Sequence, residues 1–582
     1  MRVSKIVVTV FIAFASVWMA TPARAQGNTN FVTKFLARYR EPSLAFPAAP
    51  DPAASAQALA EQTRAGQLPL TMGEYVNLIL QNNLDIGVDR LSPLSSRYSS
   101  LVNYKPFEPT IHFKTTVNRN TTPGTSILAG SASPSTLSGS YNVGFAQTLP
   151  TGSIVGIDAT MNRTSSNSSF LTLNPSWAGL VQYSFTQHLM QNFGRNVNLH
   201  LLHVAQNNQK ISNVQFEQQV IDMVTQGQKS YWDLVFSAED IKVKQRSVDL
   251  AKKTLSDNQI QIRIGTLAPV DAIQAESDVA TRNLQLITST YTERQTQDTV
   301  KKLITSRGDP GTVLAHLTPL EGVRRPQTSD VLPVEEEIKI ALENRPEMKQ
   351  LQLDLENKKI DVAYTKNQLL PTVDFIAQYN QNGTAGNLSS SPSFFGTPTA
   401  CKTPAPAGGN PPGCINPALI GGFGSTLGQT FNYNYTGYSL GFSIQIPLTN
   451  KGAQGDHSRA LIDQRTSEQK LTAQAQQIAL DVRNALTQVE MNRAQIEAAT
   501  TARELAERRL EAEQKKFDLG ASTIRFVLEE QRNVAQAQTD ELQSLVNYTK
   551  ALVDLDRATG MTLKKNNIEV EKTLNPAGST AR

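Results

Sequence analysis

The sequence predicts a mixed α/β chain of two tandem repeats, in which each repeat places β-strands before one long helical hairpin. Three observations lead to this prediction. The segment from Asn450 to Gly560 runs for about 110 residues without a proline. Segments in the first part of each repeat alternate apolar and polar residues, as strands with one apolar face do. Several short motifs return in the same order about 260 residues later, which indicates a duplicated unit.

The first 25 residues have the pattern of a secretory signal peptide. Arg2 and Lys5 precede an apolar run, and residues 23–25 read Ala-Arg-Ala, an A-x-A cleavage site. No cysteine follows this site directly, so no N-terminal lipid anchor is expected. Residues 26–70 are rich in Pro and Ala and are expected to form an extended lead-in.

Charge and hydropathy exclude two classes of protein. The signal segment contains three basic residues and no acid, so the rest of the chain has a formal net charge of +1 instead of +4. A nearly neutral chain does not have the basic surface of a nucleic-acid-binding protein. No later apolar run reaches the length of about 18 residues that a membrane-spanning helix needs.

The duplication sets the predicted domain boundaries. Leu80–Ile86 resembles Leu342–Met348, and at the same offset Pro109–Phe113 resembles Pro371–Phe375. Gly265 corresponds to Gly520 in the same way, each at the end of a long helical arm. The predicted organisation is repeat one at 71–306, a connector at 307–333, repeat two at 334–560 and a C-terminal tail at 561–582.

Each repeat is predicted to begin with a helix, at about 71–104 and 334–368, and to continue with strands at about 109–188 and 371–447. In the first strand Ile111, Phe113 and Val117 lie on one face, while the opposite face is polar. Segments of about ten residues with one apolar face suit a transmembrane β-barrel. A soluble β-sandwich with one wet face is the alternative.

The connections between these strands differ in length. Residues 119–138 and 381–430 are long and rich in Ser, Thr, Gly, Asn and Pro, as outer loops of membrane barrels are. By contrast, Leu149–Ser153 reads as a tight turn that adds a strand pair at about 139–163. The sequence leaves open whether this pair joins the sheet.

The helical hairpins are predicted at 195–306, with a tip near 265, and at 452–560, with a tip near 520. Apolar residues recur there at spacings of three and four, which indicates a heptad seam. Gly520 is expected to end its helix in a left-handed turn, and Ser522 or Thr523 to cap the next helix. The seam mixes small and polar residues, which suits helices that form a wall with one wet face. A solvated coiled coil is the alternative.

Few residues suggest reactive chemistry. Cys401 and Cys414 lie in one loop, and export favours a disulfide between them, with two free thiols as the alternative. His200 and His203 share a helix face but have no acidic or thiol ligand one turn away. No hydrolase, zinc-protease or phosphate-loop motif is present, so the sequence predicts neither an enzyme nor a cofactor or metal site.

Together these features resemble the TolC family of outer-membrane efflux and secretion channels over about residues 71–560. The resemblance rests on the ordered set of motifs, which includes Ile446-Pro447-Leu448, the segment Gly265–Ile273, and Gly520 followed by Val527-Leu528. It implies a homotrimer in which each chain gives four strands to a twelve-stranded β-barrel continuous with a long periplasmic α-helical barrel. The implied location is the outer membrane of a Gram-negative-type bacterium, in contact with its lipid.

The resemblance also implies a gate at the hairpin tips. Asp271 occupies the position of a family acid that helps to hold the hairpins shut, although its family partners are replaced here by Phe517 and Ser522. Asp271 is equally explained as a first-turn acid favoured by the helix dipole. The implied constriction residues are Asp271, Phe526, Glu529 and Glu530. The implied tip residues for adaptor contact are Gly265, Thr266, Leu267, Gly520, Ala521 and Ser522.

The function implied is a passive outer-membrane channel of a multipartite efflux or type I secretion system. A periplasmic adaptor and an inner-membrane pump are its implied partners, and no nucleic acid is expected. A periplasmic coiled-coil adaptor and a secreted structural or adhesive protein are the alternatives. The sequence does not identify the exported substrate.

Overall fold

The computed structural model describes residues 37–39, 67–125, 129–265, 268–305, 315–327, 330–390, 397–403, 410 and 413–569. Internal contacts divide the chain into two units, Pro52–Val570 and a smaller one made of Met1–Asp51 and Glu571–Arg582. Every element below lies in the larger unit. The predicted signal peptide lies outside the described residues, as do most of the lead-in and most of the C-terminal tail.

The strands are β1 (Gln67–Leu70), β2 (Thr110–Thr121), β3 (Ser135–Thr148), β4 (Ser153–Ser166), β5 (Leu173–His188), β6 (His316–Pro319), β7 (Thr372–Leu388) and β8 (Thr436–Gln445). The helices are α1 (Met72–Asn82), α2 (Leu84–Asp89), α3 (Leu91–Val102), α4 (Arg195–Asn198), α5 (His200–Arg263), α6 (Pro269–Ile304), α7 (Val334–Asn344), α8 (Pro346–Gln368), α9 (Phe423–Phe431), α10 (Lys451–Asp518), α11 (Ile524–Ala558) and α12 (Thr562–Lys565).

The strands β2, β3, β4, β5, β7 and β8 form one antiparallel sheet in that order. Residues directly opposite each other in neighbouring strands share a face, so one row across the sheet shows the character of each face. A row of the apolar face is Ile111, Phe145, Ile157, Tyr183, Tyr379 and Tyr438. The adjacent row of the other face is His112, Gly144, Asp158, Gln182, Asn380 and Gly437. The sheet is therefore apolar on one side and polar on the other.

The strand pair left open by the sequence is part of this sheet. A tight turn at 149–152 joins β3 to β4, and β4 lies directly against β5. The expectation of four strands per chain is therefore wrong for this protein, because the residues that the structure describes form a sheet of six strands. The physical reason is that β3 and β4 carry the same apolar and polar alternation as their neighbours, so both faces continue without interruption across them.

The predicted loop at 381–430 is also partly wrong. Strand β7 continues to Leu388 because its second half pairs with β5, and α9 occupies the end of the predicted loop. Helix α9 packs on the sheet through Thr426 and Thr430, which lie where Gly179 and Gly383 leave room, since a Cβ at either glycine would collide with Thr430. In the same region Cys401 and Cys414 form a disulfide.

Two long hairpins follow the strands. Hairpin A consists of α5 and α6, and hairpin B consists of α10 and α11. Helices α5 and α10 contain 64 and 68 residues, or about 100 Å each at 1.5 Å per residue. The sequence placed the start of the first arm near residue 195, whereas the structure has the short helix α4 there and begins α5 at His200. Among the described helices, none is long and apolar enough to cross a membrane.

The helical region contains buried apolar cores. Inside hairpin B, Ile478, Val482 and Val489 of α10 pack with residues of α11, and α7 and α8 close this cluster with Ala341 and Met348. The strands β1 and β6 pair in parallel beside hairpin A. The Tyr231 hydroxyl of α5 donates a hydrogen bond of 3.0 Å to the carbonyl oxygen of Leu70 at the end of β1.

Candidate functional site

Each hairpin turns at a glycine with a left-handed backbone. The φ angle is 82° at Gly265 and 73° at Gly520. The Gly520 N–H donates to the Phe517 carbonyl at 2.9 Å and the Ala521 N–H to the Lys516 carbonyl at 2.8 Å, the two bonds of a Schellman ending. No atom lies within 4 Å of a Cβ built on either glycine, so the backbone angle and not packing favours glycine there.

The turn of hairpin B is closed by a side chain that the sequence assigned differently. The Ser522 hydroxyl donates to the Glu513 carboxylate, and Thr523, the residue before α11, makes no capping bond through its side chain. The pKa of Glu513 lies below its usual value, first because of this hydroxyl and then because of Lys516 at 3.0 Å. Thr266 and Leu267, predicted at the tip of hairpin A, lie outside the described residues.

Just behind the tips, all four long helices meet in a small apolar cluster. Its buried members are Ala275 of α6 with Ile524, Val527 and Leu528 of α11. The partly buried residues packed against it are Leu255 of α5 with Leu510 and Phe517 of α10. Phe517 therefore contributes apolar contact at a position where the family resemblance implied a polar link.

The predicted constriction residues lie on the two helices that leave the tips. Asp271 is half-buried in the first turn of α6. Phe526 is 51% exposed, and Glu529, one turn later on α11, is also exposed. Glu530 is half-buried and accepts a hydrogen bond of 3.3 Å from the Asn533 side chain. Neither Asp271 nor Glu529 makes an ion pair within the part of the chain that the structure describes. Their carboxylates are therefore available to face water or another chain.

The contact that sequence reasoning missed is centred on Arg282 of α6, whose side chain is 2% exposed. Its Nε donates to Asp278 at 2.6 Å, and its Nη1 donates to the Ser247 hydroxyl at 2.9 Å and to the Ser247 carbonyl at 3.2 Å. Its Nη2 donates at 3.3 Å to both the Leu528 carbonyl and the Gln531 side chain of α11. One guanidinium thereby joins three helices and both hairpins.

The electrostatics of this cluster follow from burial. Desolvation lowers the pKa of Arg282, and the carboxylate of Asp278 opposes that effect. An arginine remains charged in proteins even so. Asp278 is only 8% exposed and also lies 3.7 Å from Arg532. The charges are therefore paired and the five N–H groups of the guanidinium each have an acceptor.

A row of polar contacts continues from Arg282 along the two hairpins, between α5 and α11. The α5 members are separated by four, seven or fourteen residues, so they lie on one face of the helix. The contacts are Asp222 with Arg557 at 2.8 Å, Lys229 with Asp554 at 2.5 Å, Asp233 with Lys550 at 2.6 Å, Asp240 with Thr539 at 3.1 Å and Thr254 with Gln531 at 3.1 Å. The heptad spacing of these polar residues is the sequence signal that could have indicated this interface.

Two other heptad rows are exposed along their length, although both contain large apolar side chains. The first, here called the α6 stripe, consists of Ile273, Ser277, Ala280, Leu284, Ile287 and Tyr291, all exposed. The second, the α10 stripe, consists of Leu480, Asn484, Thr487, Met491, Ala494, Ala498, Thr501 and Leu505, also exposed. Exposed apolar residues at a and d spacing are typical of a seam that packs against another helix.

The described residues of the site do not form a metal centre. Among them, no group of three His, Cys, Asp or Glu side chains is placed to hold a metal ion. The two tips, the Arg282 cluster and the α5–α11 row together form the interface between hairpin A and hairpin B. The contacts across this interface are mainly hydrogen bonds and ion pairs.

Comparison with known proteins gives one family match. Residues 338–561 match the family model described as outer membrane efflux protein. No curated protein matches the chain. The matched segment begins in α7 and ends just after α11, so it covers most of the second repeat.

Several solved structures share the fold. A membrane protein from Pseudomonas aeruginosa aligns with a TM-score of 0.58 and 14% identity, over 84% of this chain and 92% of that chain. The CmeC outer membrane channel of Campylobacter jejuni gives 0.56 and 14%, over 88% and 90%. The open-state MtrE outer membrane channel of Neisseria gonorrhoeae gives 0.54 and 14%, over 84% and 89%. Because the coverage is high on both sides, the likeness extends over most of each chain.

Proposed function

We propose that the chain belongs to the outer membrane efflux protein family and that three copies of it form a passive export channel closed at its hairpin tips. The shared fold confirms the predicted α/β fold class. The match over residues 338–561 supports the predicted family, its outer-membrane location and a channel function.

The observation that carries the proposal is the direct connection of a two-faced sheet to both hairpins. On the apolar face, Tyr438 is 82% and Phe442 is 68% exposed, which is costly in water and favourable in lipid. Strand β5 ends at His188, shortly before α5, and β8 ends at Gln445, shortly before α10. One chain thus supplies both lipid-facing strands and helices long enough to line a duct.

The two exposed stripes support assembly with further copies of the same chain. Helix α6 runs away from its tip and α10 runs towards its tip, so the α6 stripe of one copy and the α10 stripe of the next meet antiparallel. Each stripe supplies large residues, such as Leu284 and Met491, beside small ones such as Ala280 and Ala494. This arrangement allows knobs of one helix to enter holes in the other. A ring of three copies then closes without leaving a stripe exposed.

The nature of the contact between hairpins supports gating by movement of one hairpin against the other. Partly exposed ion pairs, such as Lys229 with Asp554, each stabilise the contact between the hairpins by only about 0–1 kcal/mol. Separation of the hairpins therefore costs little free energy along this row, because water then hydrates the separated charges. The buried Arg282 cluster is the stronger contact and lies close to the tips. Opening therefore requires breaking the Arg282 contacts to α11, after which the entrance lined by Asp271, Phe526, Glu529 and Glu530 widens.

The energy for transport comes from partners in this proposal. A periplasmic adaptor contacts the tips at Gly265, Gly520, Ala521 and Ser522, and an inner-membrane pump supplies substrate, as in multipartite efflux or type I secretion. The Schellman turn of hairpin B leaves Ala521 exposed for such contact. The two alternatives, a soluble adaptor and a secreted filament, do not explain why the sheet has an exposed aromatic face.

The constriction is tested by single-channel conductance of the purified full chain in planar lipid bilayers. Asp271→Ala, Phe526→Ala and Glu529→Ala are each expected to raise the conductance, because each removes bulk or charge that narrows the entrance. Glu490→Ala, an exposed acid on α10 far from the tips, is the matched control and is expected to change nothing. Unchanged conductance in all three variants would refute this constriction, while absence of pores in the unmodified protein would refute the channel.

A further inference from the structure

We infer that three copies of this chain close into a β-barrel of eighteen strands, whose exit is about one and a half times as wide as a twelve-stranded one. The inference rests on the proposed function, because it takes an assembly of three copies from there. It goes further in that six strands per chain, and not four, form the wall. The added strands are β3 and β4.

The added pair is bonded into the middle of the sheet on both sides. Strand β3 pairs with β2 along the whole of β2, from Thr110 opposite Ala146 to Thr121 opposite Ser135. Strand β4 pairs with β5 from Ser153 opposite Gln187 to Thr164 opposite Ser176. Since β2 and β5 have no direct pairing, removal of β3 and β4 from the wall would break the sheet into two parts.

The turn between the added strands is fixed to the base of the sheet. The Leu149 N–H donates to the Ser153 carbonyl at 2.7 Å and closes the turn. The Gly194 N–H, directly before α4, donates to the Thr151 carbonyl at 3.2 Å. These bonds hold the added pair where the sheet joins the helices, so it cannot swing outward as a loose flap.

The added strands also have the two faces that a barrel wall needs. Ile157, Ala159 and Met161 of β4 lie on the apolar face, opposite Tyr183, Val181 and Gly179 of β5. On the polar face, the Asn142 side chain of β3 donates to the Thr160 hydroxyl of β4 at 2.9 Å. An outward apolar and inward polar pattern is what lipid outside and water inside require.

The edges of the sheet are suited to pairing with another copy. Every residue of β2 is exposed, and so is nearly every residue of β8, as expected for edge strands that lack a neighbour. All neighbouring pairs are antiparallel, so the first and sixth strands run in opposite directions. Strand β8 of one copy therefore meets β2 of the next in the antiparallel sense. Three copies close the ring without a free edge.

The strand number sets the width of the exit. With strands about 4.8 Å apart and tilted by about 40°, twelve strands give a backbone radius of about 12 Å and eighteen give about 18 Å. Barrels of 16–18 strands leave an aqueous channel. We therefore expect the exit of this channel to admit solutes that a twelve-stranded exit excludes, so that selection of cargo takes place at the helical entrance alone.

The direct test is an electron cryo-microscopy reconstruction of the detergent-purified full chain, with the strands of the barrel counted. Eighteen strands in one wall support the inference. A trimer with twelve strands in the wall and the 135–166 hairpin outside it overturns the inference but leaves the proposed function intact. A particle that is not a trimeric channel overturns the proposed function itself.

A second measurement uses polymer exclusion in planar bilayers, with polyethylene glycols of graded size added only on the extracellular side. This side reports the exit, independently of the closed entrance. Deletion of residues 135–166 joins β2 to β5 through an outer loop and leaves four strands, so its size cut-off is expected to be smaller than that of the full chain. An equal cut-off for the two proteins, each shown to be trimeric, contradicts the wider exit.

Discussion

Replacement of Arg282 by methionine is expected to shift the channel towards its open state. The side chain is 2% exposed, and its Nη2 makes two hydrogen bonds of 3.3 Å to α11, at Leu528 and Gln531. These two bonds cross from hairpin A to hairpin B, whereas the bonds to Asp278 and Ser247 stay within hairpin A. Loss of Arg282 therefore weakens both the hairpin itself and the contact between hairpins.

The two effects have different magnitudes. A hydrogen bond from a charged group contributes about 1.5–3 kcal/mol to stability, and bonds as long as the two to α11 lie near the lower end of that range. Loss of both bonds therefore weakens the contact between the hairpins by about 3 kcal/mol. At 1.4 kcal/mol for each factor of ten, the ratio of open to closed states rises about a hundredfold per chain. Removing one partner of a buried pair costs about 3–5 kcal/mol in folding, because Asp278 remains buried.

The assay is single-channel recording of trimers in planar bilayers, with thermal unfolding of the same preparation measured in parallel. Arg282→Lys keeps a charge next to Asp278 but lacks the planar fork that reaches α11, so it is expected to open the channel with less loss of stability. The matched control is Arg503→Met, which removes ion pairs of 2.6 Å and 2.8 Å to Glu541 and Glu507 within hairpin B. It is expected to lower stability without raising the open probability.

One result would refute this reasoning. If Arg282→Met and Arg503→Met lower the unfolding temperature equally and both leave the open probability unchanged, Arg282 has a purely structural role. The gate would then lie elsewhere along the hairpins. A rise in open probability for both variants would show instead that general loosening of the helices opens the channel.

Two further predictions concern assembly and pH. Leu284→Glu combined with Ile287→Glu places two charges on the α6 stripe and is expected to give monomers by native mass measurement. The control Gln285→Glu adds a charge beside the stripe and is expected to leave trimers. A double variant that remains trimeric would show that the stripe is not the interface between copies. The lowered pKa of Glu513 means that its contact with Ser522 contributes fully above the ordinary value of 4.5 and is lost as the pH falls below it. Hydrogen exchange at the hairpin B tip is therefore expected to rise on acidification relative to Glu513→Gln, and equal behaviour of the two proteins would contradict this.

The main features of the helical region could be inferred from sequence because they depend on local patterns. The heptad spacing indicates long helices, and a glycine such as Gly520 in a proline-free helical run indicates a turn, since few other residues adopt a positive φ angle. Arg282 could not be found in this way. Its partners Ser247 and Gln531 are 35 and 249 residues away in sequence, so only the packing of three helices brings them together.

The order of the strands in the sheet could not be inferred from the sequence either. The turn at 149–152 was recognisable from its residues, but the place of β3 and β4 between β2 and β5 depends on which edges pair in the folded chain. Helix α9 was hidden in a segment with the composition of a loop. It forms because Thr426 and Thr430 fit over Gly179 and Gly383, and the sequence contains no sign that these distant residues face each other.

The most direct test of the central claim is the conductance of the detergent-purified, unmodified protein in a planar lipid bilayer, with its native mass determined in parallel. A membrane channel closed by contacts between hairpins predicts trimers that insert and give small, discrete, stable conductance steps. A soluble monomer or a filament without pore activity would contradict the account.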